Sequence, residues 1–176
     1  GKPLAYQEMI KRILKMNHSD QELFLLAQDG EEWEAYHKPE YWDEILTAST
    51  IASAVGFGYK SKIRLYREWK KLETKENTFM LPILNFGKEQ EEVARKHLLK
   101  KFQNYKFIIP GICRSIERRN VGASCDIIFL NPKTNELINV EIKCPFREAL
   151  ESEIKDFVDL LKDAWIIQIM IQMYCT

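Results

Sequence analysis

Residues 139–146, Asn-Val-Glu-Ile-Lys-Cys-Pro-Phe, constrain the chain most, because they form the pattern of a short apolar strand that carries an acid and a base and ends at a proline. Side chains alternate faces along a strand, so Glu141 and Lys143 point to one side and the apolar residues between them to the other. One explanation is a salt bridge on a half-exposed strand, which this short pattern by itself favours. The other is a metal-dependent phosphodiesterase site, in which Glu141 holds a divalent cation and Lys143 steers a nucleophile or a phosphate.

The apolar periodicity predicts a helical first half, a group of strands and a helical end. We expect helices over 4–16, 19–27, 60–73 and 83–102, and a short helix that Thr47 or Ser49 caps and that ends at Gly56. We expect strands over 105–109, 112–116, 127–130 and 137–143, and further helices over 147–161 and 163–174. The last helix is apolar nearly all round, which predicts that it is buried, with Gln168 and Gln172 on one face. This order of elements predicts an α/β (α+β) domain with a mixed central sheet flanked by helices and a helical N-terminal region.

Composition limits the classes of partner. The chain has 176 residues, 45% of them hydrophobic, and a formal net charge of zero, so any binding of nucleic acid must come from local clusters of charge. No apolar run reaches the roughly 18–20 residues that span a bilayer, so we expect no membrane contact. The four cysteines lack the spacing of a zinc site or a disulfide framework, which is typical of an intracellular protein. The chain stops inside an apolar pattern, and we expect the natural chain to continue beyond it.

Three segments bear on nucleic-acid binding. Residues 20–44 are strongly acidic, which indicates a solvated face and a poor surface for DNA. Residues 60–73 form a basic pattern with interleaved aromatic residues, which suits either a phosphate backbone or a soluble exterior. The candidate DNA-binding cations are Lys60, Lys62 and Arg64 there, and Arg95 in the basic half of the long helix.

Two hydroxyl residues precede or begin the short helix expected after residue 45. Thr47 or Ser49 can cap that helix, and a hydroxyl at a helix N-terminus can also help to seat a phosphate. The pattern alone favours an ordinary cap, and both residues remain candidates for DNA binding.

Acidic residues on three predicted elements can form one metal site. Glu91 lies on the long helix, Asp126 begins one strand and Glu141 lies on the next, and consecutive strands joined by a short turn pair as a hairpin. Magnesium binds through one or two carboxylates plus waters and phosphate oxygens. We therefore expect Asp126, Glu141 and the backbone carbonyl of Ile142 to hold Mg²⁺, for which Mn²⁺ can substitute. Lys143 would orient or deprotonate the attacking water.

These residues resemble a known family. Asp126 followed by Glu141-Ile142-Lys143 is similar to the PD-(D/E)XK nuclease signature, with Cys125 in place of its proline. A longer match runs in the same order from about residue 42 to the end. It comprises Leu46-Thr47-Ala48-Ser49, Gly87-Lys88, Glu91, Ala94-Arg95, Ser124-x-Asp126, Glu141 through Phe146, and Gln168 before Met173-Tyr174. The chain thus resembles the phage-lambda-type exonucleases, or YqaJ-like viral recombinases.

The resemblance implies a single nuclease domain with a restriction-endonuclease-like core over residues 1–176, in which 1–41 are a helical extension. It also implies a magnesium-dependent enzyme that degrades one strand of duplex DNA from a 5′ end. The implied roles are metal ligands for Asp126 and Glu141, the catalytic lysine for Lys143, completion of the metal and water shell for Glu91, positioning for Gln168 and contact with the terminal phosphate for Ser49. The implied partners are a single-strand annealing protein and further copies of the chain, inside the cytoplasm or the nucleus of a host cell.

Two features within the matched part of the chain depart from that family. Trp42 stands where an arginine often binds the 5′ phosphate, and Cys125 and Ile127 replace the proline and glycine of the turn around Asp126. Two alternatives therefore stay open, an endonuclease or RNase that uses the same site and a nucleic-acid-binding module without catalysis. The presence of Glu91, Asp126, Glu141 and Lys143 together favours catalysis.

Overall fold

A computed structural model describes residues 18–38, 41, 44–58, 60–72, 81–144 and 162–176. The described helices are α1 His18–Leu25, α2 Glu31–Ala35, α3 Ala48–Ala54, α4 Lys62–Trp69, α5 Leu81–Lys101 and α6 Asp163–Cys175. The described strands are β1 Leu46–Thr47, β2 Lys106–Ile108, β3 Cys113–Arg114, β4 Val121–Ala123, β5 Ile127–Leu130 and β6 Leu137–Val140. The predicted α/β class is confirmed, whereas the helices expected over 4–16 and 147–161 lie outside the described residues.

The β5–β6 hairpin is the part of the fold that positions the site. β5 pairs antiparallel with β2 on one side and with β6 on the other, with Ile127 opposite Val140. All four residues of β5 are buried, which explains its unbroken apolar sequence. The turn that joins the strands is closed by Asn131, whose side chain accepts hydrogen bonds from the backbone of Lys133 and Thr134.

A second small sheet has the order β1-β4-β3, in which β1 is parallel and β3 antiparallel to β4. β1 and β4 were not predicted, because strands of two and three residues are too short to show a period in the sequence. The sheet matters because β1 runs directly into α3 and places Thr47 and Ser49.

Helix α6 packs against α3 and β4. Cys175 at its end joins a core cluster that also contains Phe24, Ile128 and Cys125. The prediction that this helix is buried all round is wrong, because Met170 and Met173 are each 58% exposed. Gln172 and Cys175 face the core instead, so the helix buries one face against the described part of the fold.

The N-terminal segment is tied firmly to the rest of the described chain. Arg119 donates to both carboxylate oxygens of Asp20, which is 1% exposed, and Arg114 lies on the same carboxylate. The Gln28 side-chain amide donates to the carbonyls of Pro110 and Cys125, both at 2.7 Å. The expectation that residues 20–44 are simply a solvated acidic face is therefore wrong for Asp20.

None of the helices in the described part of the chain is long and apolar enough to cross a membrane. Cys113, Cys125, Cys144 and Cys175 are all free, which agrees with the absence of disulfide spacing in the sequence.

Candidate active site

A cleft of about 370 Å³ opens where the β5–β6 hairpin meets α3, α5 and α6. Eight of the predicted site residues line it, and they are Thr47, Ser49, Glu91, Arg95, Asp126, Glu141, Lys143 and Gln168. They come from four separated parts of the sequence, so the fold brings together residues that the motifs had only placed in order.

The strand that carries Glu141 and Lys143 is shorter than predicted. β6 ends at Val140 instead of residue 143. The Asp126 side chain ends the strand, because it accepts a hydrogen bond from the backbone N–H of Ile142 at 2.5 Å. That N–H therefore makes no backbone hydrogen bond to the neighbouring strand. Glu141 and Lys143 nevertheless share one side, and Lys143 Nζ donates to Glu141 Oε1 at 2.5 Å. The predicted ion pair is therefore present, and it lies in the wall of the cleft.

Helix α6 holds the Glu141 carboxylate from two successive turns. Gln168 Nε2 donates to Glu141 Oε1 at 2.8 Å, and Gln172 Nε2 donates to Glu141 Oε2 at 2.7 Å. Gln172 Nε2 also donates to the carbonyl of Ser124 at 3.0 Å, which ties the helix to the loop before Asp126. Only 7% of the Glu141 side chain is exposed, so these contacts replace water around the charge.

The cleft holds more negative than positive charge around Asp126. Burial, followed by repulsion from the Glu141 carboxylate, raises the pKa of Asp126 to about 6, although the Ile142 N–H acts in the opposite direction. Burial also raises the pKa of Glu91, where the Lys143 ammonium opposes the shift and the Glu141 carboxylate adds to it. Proximity of three carboxylates to one lysine favours binding of a further cation.

The donor set suits a hard cation. Asp126 and Glu141 supply carboxylate oxygens, Ile142 can supply its carbonyl, and Glu91 lies close enough to influence both charges. No group of three or more His, Cys, Asp or Glu side chains is arranged to hold a metal ion within the described ranges. Mg²⁺ keeps several waters and needs only one or two carboxylates, so this site fits magnesium better than a fully protein-ligated metal.

The N-terminal segment forms a wall that the sequence did not predict. Trp33 Nε1 donates to Ser124 Oγ at 3.1 Å, and its ring lies 4.1 Å from that of His37 between centroids. Both residues line the cleft, as do Gln28 and Asp29. The segment that the sequence indicated as a poor surface for DNA thus contributes side chains to the wall of the cleft, and the expectation about DNA stays a prediction. Only the i,i+4 spacing of Trp33 and His37 gave a local signal, and it did not indicate a site.

Hydroxyl and cationic groups lie on the remaining sides of the cleft. Thr47 is the N-cap of α3, but its hydroxyl contacts Thr50 Oγ1 at 3.0 Å and Ser49 Oγ at 3.3 Å instead of a backbone N–H. Arg95 donates to Glu92 at 3.1 Å, while its buried Nε has no hydrogen-bond partner among the described residues. Ser49 is exposed at the cleft, whereas Thr47 is buried.

The fold separates the other predicted cations from the cleft. Arg64 lies within α4 and Lys60 just before it, and both contact the carboxylate of Glu68, at 3.2 and 2.6 Å respectively. Lys62 lines a different depression on the other side of α3. Trp42, where the sequence departs from the family, lies outside the described residues.

Comparisons with known proteins match one family model and two solved structures with a similar fold. A sequence model of the YqaJ-like viral recombinase domain matches residues 32–176. Two crystal structures of the alkaline exonuclease LHK-Exo from Laribacter hongkongensis share the fold. The one in complex with dAMP gives a TM-score of 0.59 at 21% identity and covers 83% of this chain and 68% of that chain. The other gives a TM-score of 0.57 at 24% identity and covers 84% of this chain and 69% of that chain. No match was found among curated proteins.

Proposed function

Because the chain belongs to the YqaJ-like viral recombinase family, we propose that it is a metal-dependent exonuclease that hydrolyses duplex DNA from a 5′ end. Family membership supports a nuclease role and agrees with the family inferred from the sequence motifs. The observation that carries the proposal is the partly buried pair of Asp126 and Glu141, held beside Lys143 in one cleft.

The proposed metal ligands are Asp126, Glu141 and the carbonyl of Ile142, with Glu91 joined through water. A bound Mg²⁺ or Mn²⁺ would lower the pKa of a water and neutralise charge on the phosphate. The raised pKa of Asp126 supports this assignment, because a carboxylate that is short of positive neighbours gains most from a cation.

The side chains around the pair have distinct tasks in this proposal. Lys143 orients the attacking water and stabilises charge that develops at the phosphorus oxygens. Gln168 keeps Glu141 in place through its 2.8 Å hydrogen bond. Thr47, Ser49 and Arg95 contact the phosphates of the strand that enters the cleft, which their positions on its walls support.

The test uses two forms of the same duplex, a linear one labelled at either the 5′ or the 3′ end and a covalently closed circle. With Mg²⁺, we expect mononucleotides from the 5′ end of the linear duplex and no cut in the circle. Asp126→Asn should abolish the products. Glu136→Gln, which changes an exposed carboxylate at the far end of the same hairpin, should not.

Other outcomes distinguish the alternatives. Nicks or linear products from the circle would show an endonuclease, and cleavage of labelled RNA in place of DNA would show an RNase. Metal-independent binding without any cleavage would show a binding module and would contradict the proposal.

The proposed setting is intracellular recombination, with a single-strand annealing protein and further copies of this chain as partners. Light scattering coupled to gel filtration measures the mass directly. A mass of one chain at all accessible concentrations would contradict the homo-oligomer.

A further inference from the structure

A second depression lies on the side of α3 that faces away from the cleft. It has a volume of about 460 Å³ and lies between α3 and α4, with Thr50, Ile51 and Ala54 on one wall and Lys62, Tyr66 and Trp69 on the other. Helix α3 is shared, because Ser49 lines the cleft while Thr50 and Ile51 line this groove. A polymer in the groove would therefore pass close to the candidate active site.

Two aromatic rings stand open to solvent at the groove. Tyr66 is 54% exposed and Trp69 is 45% exposed, and their centroids are 6.2 Å apart in an edge-on arrangement. Lys70 Nζ lies 4.8 Å from the Trp69 centroid and 5.9 Å from that of Tyr66. Two exposed rings side by side at the mouth of an apolar groove form a surface on which a flat apolar group can stack.

The charge around the rings selects an anionic partner. Residues 60–71 contain six cationic side chains and one acidic side chain, a local charge of +5 in a chain whose net charge is zero. The one acid, Glu68, already pairs with Lys60 and Arg64. Glu68 cannot neutralise Lys62 and Lys70 as well, so the face of α4 attracts a polyanion that also offers apolar surface.

We propose that the groove between α3 and α4 binds single-stranded DNA, with bases stacked on Tyr66 and Trp69 and phosphates beside Lys62 and Lys70. Single strands expose the faces of their bases, whereas duplex DNA hides them in its own stack, so aromatic rings among cations favour the single strand. The inference rests on the proposed function only in taking DNA as the polymer. Removal of one strand from a duplex leaves such a strand beside the enzyme.

The first test measures fluorescence anisotropy of a labelled oligothymidylate of roughly 16 nucleotides in EDTA, where no metal-dependent cleavage occurs. Replacing both rings, as Tyr66→Ala with Trp69→Ala, should weaken binding by about tenfold or more, because each stacked base contributes measurably. Phe107→Ala, which removes a 45% exposed ring on β2, should leave the affinity unchanged. An abasic oligonucleotide of the same length should bind the wild type as weakly as thymidylate binds the double variant.

The second test separates phosphate contacts from stacking. Lys62→Ala should lower the slope of log affinity against log salt by about 0.7, the value for one phosphate contact on a single strand. Lys133→Ala, in the exposed β5–β6 turn, should leave the slope unchanged. Tyr66→Phe with Trp69→Phe retains both rings and should restore most of the affinity, which excludes misfolding as the cause of loss.

The outcomes separate this inference from the proposed nuclease. Asp126→Asn should bind thymidylate as well as the wild type does, even though it should not cleave duplex DNA. If neither the wild type nor any variant cleaves duplex DNA but the double alanine variant loses thymidylate binding, the groove proposal is supported and the nuclease proposal is wrong. Equal thymidylate affinity of wild type and double variant would overturn the groove. So would a change in self-association by sedimentation without a change in DNA binding.

Discussion

Two centres in the described structure bury carboxylates, and they balance the charge in opposite ways. Asp20 has its charge surrounded by two arginines, Arg119 through two hydrogen bonds and Arg114 at 3.6 Å. At the β5–β6 hairpin, Asp126 and Glu141 share one lysine, Lys143, and the other contacts are amides. The first centre has two arginines for one carboxylate, while the second has one lysine for two carboxylates.

Under the proposed function, this difference separates a structural role from a chemical one. Asp20 fastens α1 to the segment before β4, a connection between residues 99 positions apart in sequence. Asp126 and Glu141 instead line an open cleft, and the pKa of Asp126 is raised to about 6 by burial and by the Glu141 charge. A buried carboxylate is thus a candidate for a catalytic or metal-binding role here only where neighbouring cations do not balance its charge.

The largest expected effect falls on the hairpin centre. Lys143→Ala should reduce cleavage of end-labelled duplex DNA by about 10²–10⁴-fold, the usual contribution of a side chain that assists proton transfer. The free energy of unfolding should also fall, because the Glu141 carboxylate, whose side chain is 7% exposed, loses its cationic partner, so cleavage is measured where urea denaturation shows both proteins folded. Lys133→Ala is the matched control, and undiminished cleavage by Lys143→Ala would remove the lysine from the mechanism.

The Asp20 centre should respond in stability and not in catalysis. Asp20→Asn leaves two arginines beside a neutral amide, and loss of one partner of a buried ion pair costs about 3 kcal/mol in free energy of unfolding. Urea denaturation measures that loss, with Glu34→Gln, an exposed carboxylate of α2, expected to stay within about 0.5 kcal/mol. A stable Asp20→Asn protein that cleaves poorly would break the distinction between the two centres.

Gln172 should have a smaller effect that reaches catalysis through Glu141. Gln172→Leu removes the hydrogen bonds to Glu141 and Ser124 and should lower cleavage by about 10–100-fold, typical of groups that orient metal ligands. The Mg²⁺ concentration at half-maximal rate should rise as well, which a purely structural role would not cause. Met173→Leu changes the exposed neighbour on α6 and should leave both values unchanged.

The hairpin residues of the candidate site were more predictable than the walls of its cleft. Asp126, Glu141 and Lys143 lie on one hairpin, where strand alternation and a short turn determine which side chains meet. Gln172 was visible as a polar residue four positions after Gln168, but its sequence position does not reveal that it contacts Glu141. The hairpin and α6 are each formed by residues that are close in sequence, so the apolar periodicity predicts them.

The opposite wall depends on contacts that no local pattern encodes. Trp33 reaches Ser124 across 91 positions and Gln28 reaches Cys125 across 97. The acidic residues around them dominated the sequence pattern and suggested plain solvent exposure. The exposed face of α6 was missed for a related reason, since an all-apolar helix does not show which of its sides packs.

Binding of Mn²⁺ to the protein without DNA, followed by electron paramagnetic resonance, tests most directly whether the hairpin carboxylates hold a cation. Wild-type protein and Glu136→Gln should bind Mn²⁺ equally. Asp126→Asn should bind it more weakly by at least the roughly 10–100-fold that loss of a supporting group costs. Equal Mn²⁺ affinity of wild type and Asp126→Asn would contradict the account, because the charge imbalance at Asp126 and Glu141 would then have no cation to offset it.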